Sequence, residues 1–401
     1  MHAPLVVVGA GLAGWTTVRE FRKRDAATPV VVVTSDSGDF YAKPTLSNAL
    51  AQKRTPQQLV STSAAKMAET LNVTLWAHST VEAIDTTRQQ LTVAADGQSQ
   101  TLAYGQLVLA TGAQAIRSAI AGNAAEQVRS VNSLTDFALF HGLLAPAAGQ
   151  DMPEGKTVLV IGAGLIGCEF ANDLLQAGHR VHVVDPSPRP LAALLPEAAG
   201  LQLQQALQGL GAHWHFGTTV LAVDRAGTAT GPALQVTLAD GTQVQADAVL
   251  SAIGLRANTA LAAAAGLRCE RGIVVDAFLQ TSAAQVYALG DVAQYASAGA
   301  RTLPYVMPIM NAARALAATL GGTPTELVFP LMPVSIKTPA LPIVVSAAHP
   351  ATTGGWFADA ADAADVTRVW RFRDLTGAQR GFVLSGASTA RRLELEKDTV
   401  L

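Results

Sequence analysis

The chain has 401 residues, only 14% of them charged, and a formal net charge of -2. That length predicts two or three domains with a core large enough to need no disulfide staple, and the near-neutral balance leaves no electrostatic footprint for nucleic acid or an anionic membrane. The two cysteines, Cys168 and Cys269, have neither CxxC nor metal-ligand spacing, which argues against a redox dithiol, zinc or an iron–sulfur cluster.

No apolar run reaches the ~18 residues of a membrane span. The opening "APLVVVGAGLAG" lacks a basic leader and runs straight into a glycine turn, so it reads as a buried first strand of a cytoplasmic protein rather than as a signal peptide. In chain order, a strand over 5–8, a glycine turn, a helix over about 12–24 and a strand over 29–34 make a βαβ unit, its buried strands written as Val runs. Short strands follow over 74–113, with the "ADG" at 95–97 marking a hairpin and "LVLA" ending the block.

The unit then repeats. Residues 157–185 predict a strand, a helix over about 165–177 capped by Gly178, and the strand "RVHVVD". A helix over 197–209 and strands with a second "ADG" at 239–241 lead to an apolar strand ending at Gly254. "GIVVD" at 272–276, "VYALGD" at 286–291 and a helical stretch at 308–322 come next. From about 326 the pattern becomes Pro-punctuated strand, a hairpin turning near Thr376 and Gly377, and a final helix near 387–397, the mark of a smaller α+β domain. "HWH" at 213–215 reads as alternation on a strand, not as a metal-ligand pair.

A dinucleotide pyrophosphate is met by backbone N–H groups at a helix N-terminus when no side chain stands in the turn before it. Gly9, Gly11 and Gly14, with Ala10, Leu12 and Ala13 between and around them, have that spacing, and so do Gly162, Gly164 and Gly167 with Leu165 and Ile166. In each set the first glycine serves the tight turn, the second the approach of the pyrophosphate, and the third the packing of helix on strand. Asp185 ends the next strand of the second set, where a carboxylate accepts from ribose hydroxyls and repels a 2′-phosphate, favouring NAD(H). In the first set Thr34 holds that position, with Asp36 two residues on. Arg189 reads as an exposed loop charge. Together these features suggest a flavin in one site and a nicotinamide in the other.

"GAGLAG", "LATGA", "GAGLIGCEF", "SAIGLRANT" and "YALGD", in this order, resemble the two-dinucleotide flavoprotein reductases, the superfamily of glutathione reductase and the ferredoxin reductases. Within it, "FYAKPTLSNAL", "YVMPIMNAARALA" and "MPVSIKTPALPIVVS" look like the rubredoxin–NAD reductases. The resemblance implies an α/β fold of two Rossmann-like domains, for FAD and NAD(H), with a small C-terminal α+β domain. It places the FAD domain at 1–113 and 247–325, the NAD domain at 114–246 and the C-terminal domain at 326–401. It implies that Asp291, beside Gly290, bonds the flavin ribityl chain, that backbone near Val81 meets the adenine, and that Ala110, Thr111 and Gly112 line the pyrophosphate. Gly254 closes the matching strand of the second block. Val306 falls at the isoalloxazine pyrimidine edge ahead of the helix from 308, and Lys337 near the flavin O2. Lys43, before Pro44, is placed beside the isoalloxazine and Glu169 on the nicotinamide side, as a catalytic pair of opposite charges that hold each other ionised.

Ser47 and Asn48 occupy the region where disulfide reductases of the superfamily carry redox cysteines. Electrons are therefore expected to leave the flavin directly for an external carrier, an acidic rubredoxin. Arg391, Arg392 and Lys397 are candidates for its docking patch, or simply a solvated helix face. A ferredoxin reductase feeding an oxygenase is the nearest alternative, and a flavin-binding redox sensor is the alternative of another class. Monomer and homodimer both stay open.

Overall fold

The computed structural model describes residues 3–145, 155–227, 233–359 and 368–400. The chain forms two compact units, one of residues 1–42, 60–114 and 255–332, the other of residues 43–59, 115–254 and 333–401.

The first unit is built on a five-stranded parallel sheet, in the order Val286–Ala288, Gln106–Leu109, Leu5–Val8, Val30–Val33, Thr74–Trp76. The Val runs fill its centre: Val6, Val7, Val32 and Val33 are wholly buried, as strands covered on both faces require. The helices Leu12–Arg22 and Val306–Leu320 pack on each other. The second brings a face of Ala312, Ala313 and Ala317, small enough for the backbones to come close. The strands Thr80–Asp85, Gln90–Ala95 and Gln98–Ala103 form an antiparallel meander. At its "ADG" turn Asp96 and Gly97 both have positive φ, the twist a two-residue hairpin needs.

The second unit repeats this plan with four parallel strands, in the order Ala212–Phe216, Arg180–Asp185, Thr157–Ile161, Ala248–Ser251. Its own meander runs through Val220–Arg225, Leu234–Leu238 and Gln243–Ala246. It also contains a five-stranded antiparallel sheet, in the order Val334–Ile336, Ile343–Ser346, Gln379–Ser385, Arg368–Asp374, Gly354–Ala358.

Four expectations shift. The strand Ala248–Ser251 pairs with Thr157–Ile161, so the chain leaves the second block after Gly254 rather than at 246. Residues 43–59, expected with the first block, belong to the second unit. The helix expected from 308 begins at Val306, because Pro308 falls in the first turn, where no intrahelical N–H is required. The last helix is a 3-10 segment over Gly386–Arg391 that becomes α only at Arg392–Asp398. Among the described residues no helix is long and apolar enough to cross a membrane.

Candidate functional site

The two glycine turns are built alike. Gly9 has φ +108, and a Cβ there would lie 2.3 Å from the Ala110 carbonyl oxygen; Gly162 has φ +103, and its Cβ would lie 2.7 Å from the Ala252 oxygen. In each case the returning strand closes over the turn so tightly that only glycine fits. Gly14 and Gly167 sit equally close to their own turns, each Cβ 1.9 Å from the oxygen of Gly9 or Gly162. Gly11 and Gly164 differ: nothing lies within 4 Å of a Cβ at either.

Those two open glycines are the N-caps of the helices Leu12–Arg22 and Leu165–Gln176, and neither helix has a side-chain cap. By contrast, Ser63 and Ser133 accept from first-turn N–H groups of the helices Ala64–Leu71 and Leu134–Leu144. The first turns of both fingerprint helices therefore keep N–H donors and a positive dipole end without a side-chain cap, behind a glycine at which a Cβ would meet nothing. A pyrophosphate fits that combination.

In the first unit, Gly290 with φ +83 brings its Cα so near Ala13 that a Cβ would lie 2.8 Å from the alanine methyl. This seats Asp291, in the 3-10 segment Gly290–Val292, next to the first fingerprint helix. The fully buried Tyr295 holds the turn: its hydroxyl accepts from the Gly290 N–H at 2.7 Å and donates back to the Gly290 oxygen at 3.2 Å. Burial pushes the Tyr295 pKa well up, keeping the hydroxyl protonated as a donor. Thr111 and Gly112 are tied to Asn258, whose Nδ2 donates to the Thr111 oxygen at 2.8 Å and whose N–H donates to the Gly112 oxygen at 3.0 Å. Thr34 Oγ1 donates to Asp36 Oδ1, which also accepts from the Gly38 N–H. Ser79, two residues before the buried Val81, donates its N–H to the Thr34 oxygen. Ala10 and Ala110 are buried, Leu12 is partly buried, and Val306 opens its helix at 38% exposure with no side-chain cap.

In the second unit, Asp185 ends its strand with both oxygens on backbone donors: Oδ2 accepts from Ala163 at 2.6 Å and Oδ1 from Ser187 at 2.7 Å. Ala163 is the middle residue of the glycine turn, so the carboxylate braces the fingerprint as well as standing at its rim. Arg189 is not the exposed loop charge expected: it lies on Gly200, its Nη1 2.9 Å from where a Cβ there would sit, and its Nη2 donates to the Ala192 oxygen. Gly254, with φ +110, accepts the Ile116 N–H on its oxygen. Cys168 is buried and donates to the Ala163 oxygen; burial, with Asp185 and Glu169 nearby, pushes its thiol pKa far up, which suits a packing residue and not a nucleophile. Leu165 and Ile166 occupy the open first turn, Ile166 at 41% exposure.

Glu169 departs most from expectation. Its carboxylate is 1% exposed and its cation is Lys337, whose Nζ donates to Oε2 and whose backbone N–H donates to Oε1 at 2.9 Å. Ser47 Oγ completes the site, donating to Oε2 at 2.6 Å and accepting from Lys337 Nζ at 2.9 Å. Lys43, the partner the resemblance implied, reaches Asn132 Oδ1 instead, at 3.3 Å. One turn further on, Asp173 accepts the N–H groups of Leu50 and Ala51, and Asn172 accepts that of Ala340. Burial pushes the Asp173 pKa up, against the pull of those amides and of Lys337. Asn172, Asp173 and Tyr295 escaped the sequence reading, since a lone polar residue on an apolar pattern carries no period; Ser47 figures there only as the absence of a cysteine and Asn258 only as part of a motif.

The "HWH" residues lie on the strand Ala212–Phe216. His213 stacks on His182 at 4.8 Å, and His182 Nδ1 lies 3.0 Å from His215 Nε2. Of the candidate docking cations, Arg391 pairs with Glu394 and Arg392 with Glu396, the pairing of a solvated helix face, which is the other reading of these residues.

Residues 3–317 match the pyridine nucleotide-disulphide oxidoreductase family, and residues 326–399 match the rubredoxin binding C-terminal domain. The chain is 42% identical over 399 residues to a rubredoxin-NAD(+) reductase of Alcanivorax borkumensis, covering 99% of this chain and 98% of the relative. It is also 42% identical to a nitric oxide reductase FlRd-NAD(+) reductase of Aeromonas salmonicida, over 84% of this chain and 82% of that one. The crystal structure of a ferredoxin reductase from Rhodopseudomonas palustris superposes with a TM-score of 0.86 at 24% identity, covering 100% of this chain and 96% of that one.

Proposed function

Because the chain belongs to the pyridine nucleotide-disulphide oxidoreductase family, we propose that it is an NADH-dependent flavoprotein reductase that delivers single electrons to rubredoxin. One observation carries this reading: the same uncapped helix end occurs twice, above Gly11 and above Gly164, and the second is braced by an acid, Asp185. Two dinucleotide sites, of which the second prefers an unphosphorylated ribose, are what a nicotinamide-to-flavin reductase needs.

The first site takes FAD, with Gly9, Gly11 and Gly14 at its pyrophosphate, the Ala110–Thr111–Gly112 turn beside it, and Asp291, fixed through Gly290 and Tyr295, for its ribityl hydroxyls. FAD when bound supplies the exchange between a two-electron donor and a one-electron acceptor. The second site takes NADH. Gly162, Gly164 and Gly167 receive its pyrophosphate, Asp185 its adenosine ribose, and Glu169 stands one turn into that helix on the nicotinamide side. The uncapped N-terminus at Val306 would present a positive dipole end to a flavin held in the first site.

The balance is one NADH and two oxidised rubredoxins giving NAD+, a proton and two reduced rubredoxins. Positioning, rather than a protein acid or base, carries the hydride step. Residues 326–399 form the carrier-docking domain in this reading, and the reaction takes place in the cytoplasm, where NADH is supplied. The test mixes purified protein, NADH and a rubredoxin and follows bleaching of the oxidised iron band. Reduction no faster than with free flavin refutes the assignment, and equal efficiency with NADH and NADPH refutes the role of Asp185.

A further inference from the structure

The helix Leu165–Gln176 begins at the second fingerprint, and one face of it is wholly polar and wholly engaged. Glu169, Asn172 and Asp173 are at most 2% exposed, and the hydrogen bonds their side-chain oxygens accept come from two segments distant in sequence. The segment 47–51 gives the Ser47 hydroxyl and the N–H groups of Leu50 and Ala51; the segment 337–340 gives the Lys337 ammonium and the N–H groups of Lys337 and Ala340. All of these residues belong to one compact unit.

Burying a carboxylate as deeply as that of Glu169 is costly unless its oxygens are met by donors and a cation stands against it. Lys337 does both jobs with two of its groups, and it remains 28% exposed. Ser47 lies between the charges, accepting a hydrogen bond from the ammonium and donating one to the carboxylate. The ammonium is therefore directed at Glu169 and Ser47.

Resting on the assignment of NADH to the second site, we propose that Lys337, carried on the C-terminal domain, is a positioning residue for Glu169, and that through this contact the carrier-docking domain sets the affinity of the nicotinamide site. The alternative implied by family resemblance, that Lys337 acts on the flavin O2, makes different demands. A group acting on the flavin shifts the flavin midpoint potential whatever residue 169 is; a group acting through Glu169 has no further effect once Glu169 has lost its charge.

The experiment uses the FAD-loaded full chain as Lys337→Met, Lys337→Arg, Glu169→Gln and the double variant Glu169→Gln/Lys337→Met. NADH steady-state kinetics are read with ferricyanide, which needs no docking domain, together with the flavin midpoint potential and thermal melts. Lys337→Met is expected to raise the NADH KM about tenfold, the worth of one charge-assisted hydrogen bond, while kcat changes less. Lys337→Arg is expected to recover most of the loss, and the double variant to be no worse than Glu169→Gln alone. If Lys337→Met melts early, the double variant, which has no orphaned charge, is expected to regain stability. Additive effects, or an unchanged KM with a shifted flavin potential, overturn the proposal. A parent enzyme whose flavin is not reduced by NADH overturns instead the assignment of the second site.

Discussion

Gly164→Ser separates what the fingerprint does for the fold from what it does for the ligand. Gly164 has φ -74 and ψ -171, ordinary for any N-cap residue, and nothing lies within 4 Å of a Cβ there. Serine fits without strain, and its hydroxyl can accept a first-turn N–H that no side chain caps in the native helix, a gain of a few tenths of a kcal/mol over glycine. In a chain of this size that moves Tm by no more than about 1–2 °C. The same hydroxyl, however, occupies the space assigned to the pyrophosphate and takes one of its donors. A charge-assisted hydrogen bond is worth ~1.5–3 kcal/mol, so NADH affinity is expected to fall between about tenfold and a hundredfold. Stopped-flow flavin reduction against NADH concentration gives the affinity, and a melt of the same sample gives the stability. NADH binding within twofold of the parent, with Tm unchanged, refutes the role of the uncapped first turn. Gly167→Ala is the control: its Cβ would lie 1.9 Å from the Gly162 oxygen, so stability itself is expected to drop.

Asp185→Asn exchanges a carboxylate that accepts from both Ala163 and Ser187 for a side chain with one acceptor oxygen. It is expected to raise the NADH KM about tenfold and narrow the margin over NADPH, and a preserved KM ratio between the two nucleotides counts against it. Tyr295→Phe leaves the Gly290 N–H without its partner, at a cost of about 1–3 kcal/mol; weaker FAD retention in a fluorescence titration is expected, and parent-like retention refutes the brace at Asp291. Burial, with the charges of His213 and His215 added, pushes the His182 pKa down to about 4 from 6.5. Between those values the unfolded chain binds a proton the folded one refuses, so stability is full above the upper value and falls as pH drops toward the lower. The slope is at most about 1.4 kcal/mol per pH unit before solvent screening. His182→Gln is expected to flatten the Tm profile between pH 7 and 4.5, and superimposable profiles refute this origin.

The repeated βαβ blocks were legible because each layer of physics is written locally: Val runs for buried strands, glycines where a side chain would strike backbone, Asp-Gly where a hairpin reverses. Boundaries were less legible. Ala248–Ser251 is a short buried strand, and nothing in its composition says that its neighbour is Thr157–Ile161. The site divides the same way. Gly11, Gly164 and Asp185 announce themselves by spacing, whereas the cation that meets Glu169 is fixed by tertiary placement. Lys43 and Lys337 are equally plausible on paper; only the fold, which sends Lys43 to Asn132, distinguishes them. Arg391 and Arg392 looked like a basic patch because net charge along a helix hides the i,i+3 and i,i+4 partners that cancel it.

The strand order of the first unit has a consequence for biogenesis. Its sheet is completed by Val286–Ala288, and the turn that seats Asp291 follows directly. On the ribosome, the entire second fingerprint block is therefore made before the first has its last strand. The first glycine turn gains its Ala110 wall early, but the sheet beneath it lacks its edge strand from the synthesis of Gln106–Leu109 until that of Val286–Ala288. The second block, whose strands lie between 157 and 251, is complete earlier. On the proposed assignment, flavin loading is expected late in synthesis, and a nascent chain released before Val286 is expected to lose the cofactor, which a flavin assay on chains truncated before Val286 would check.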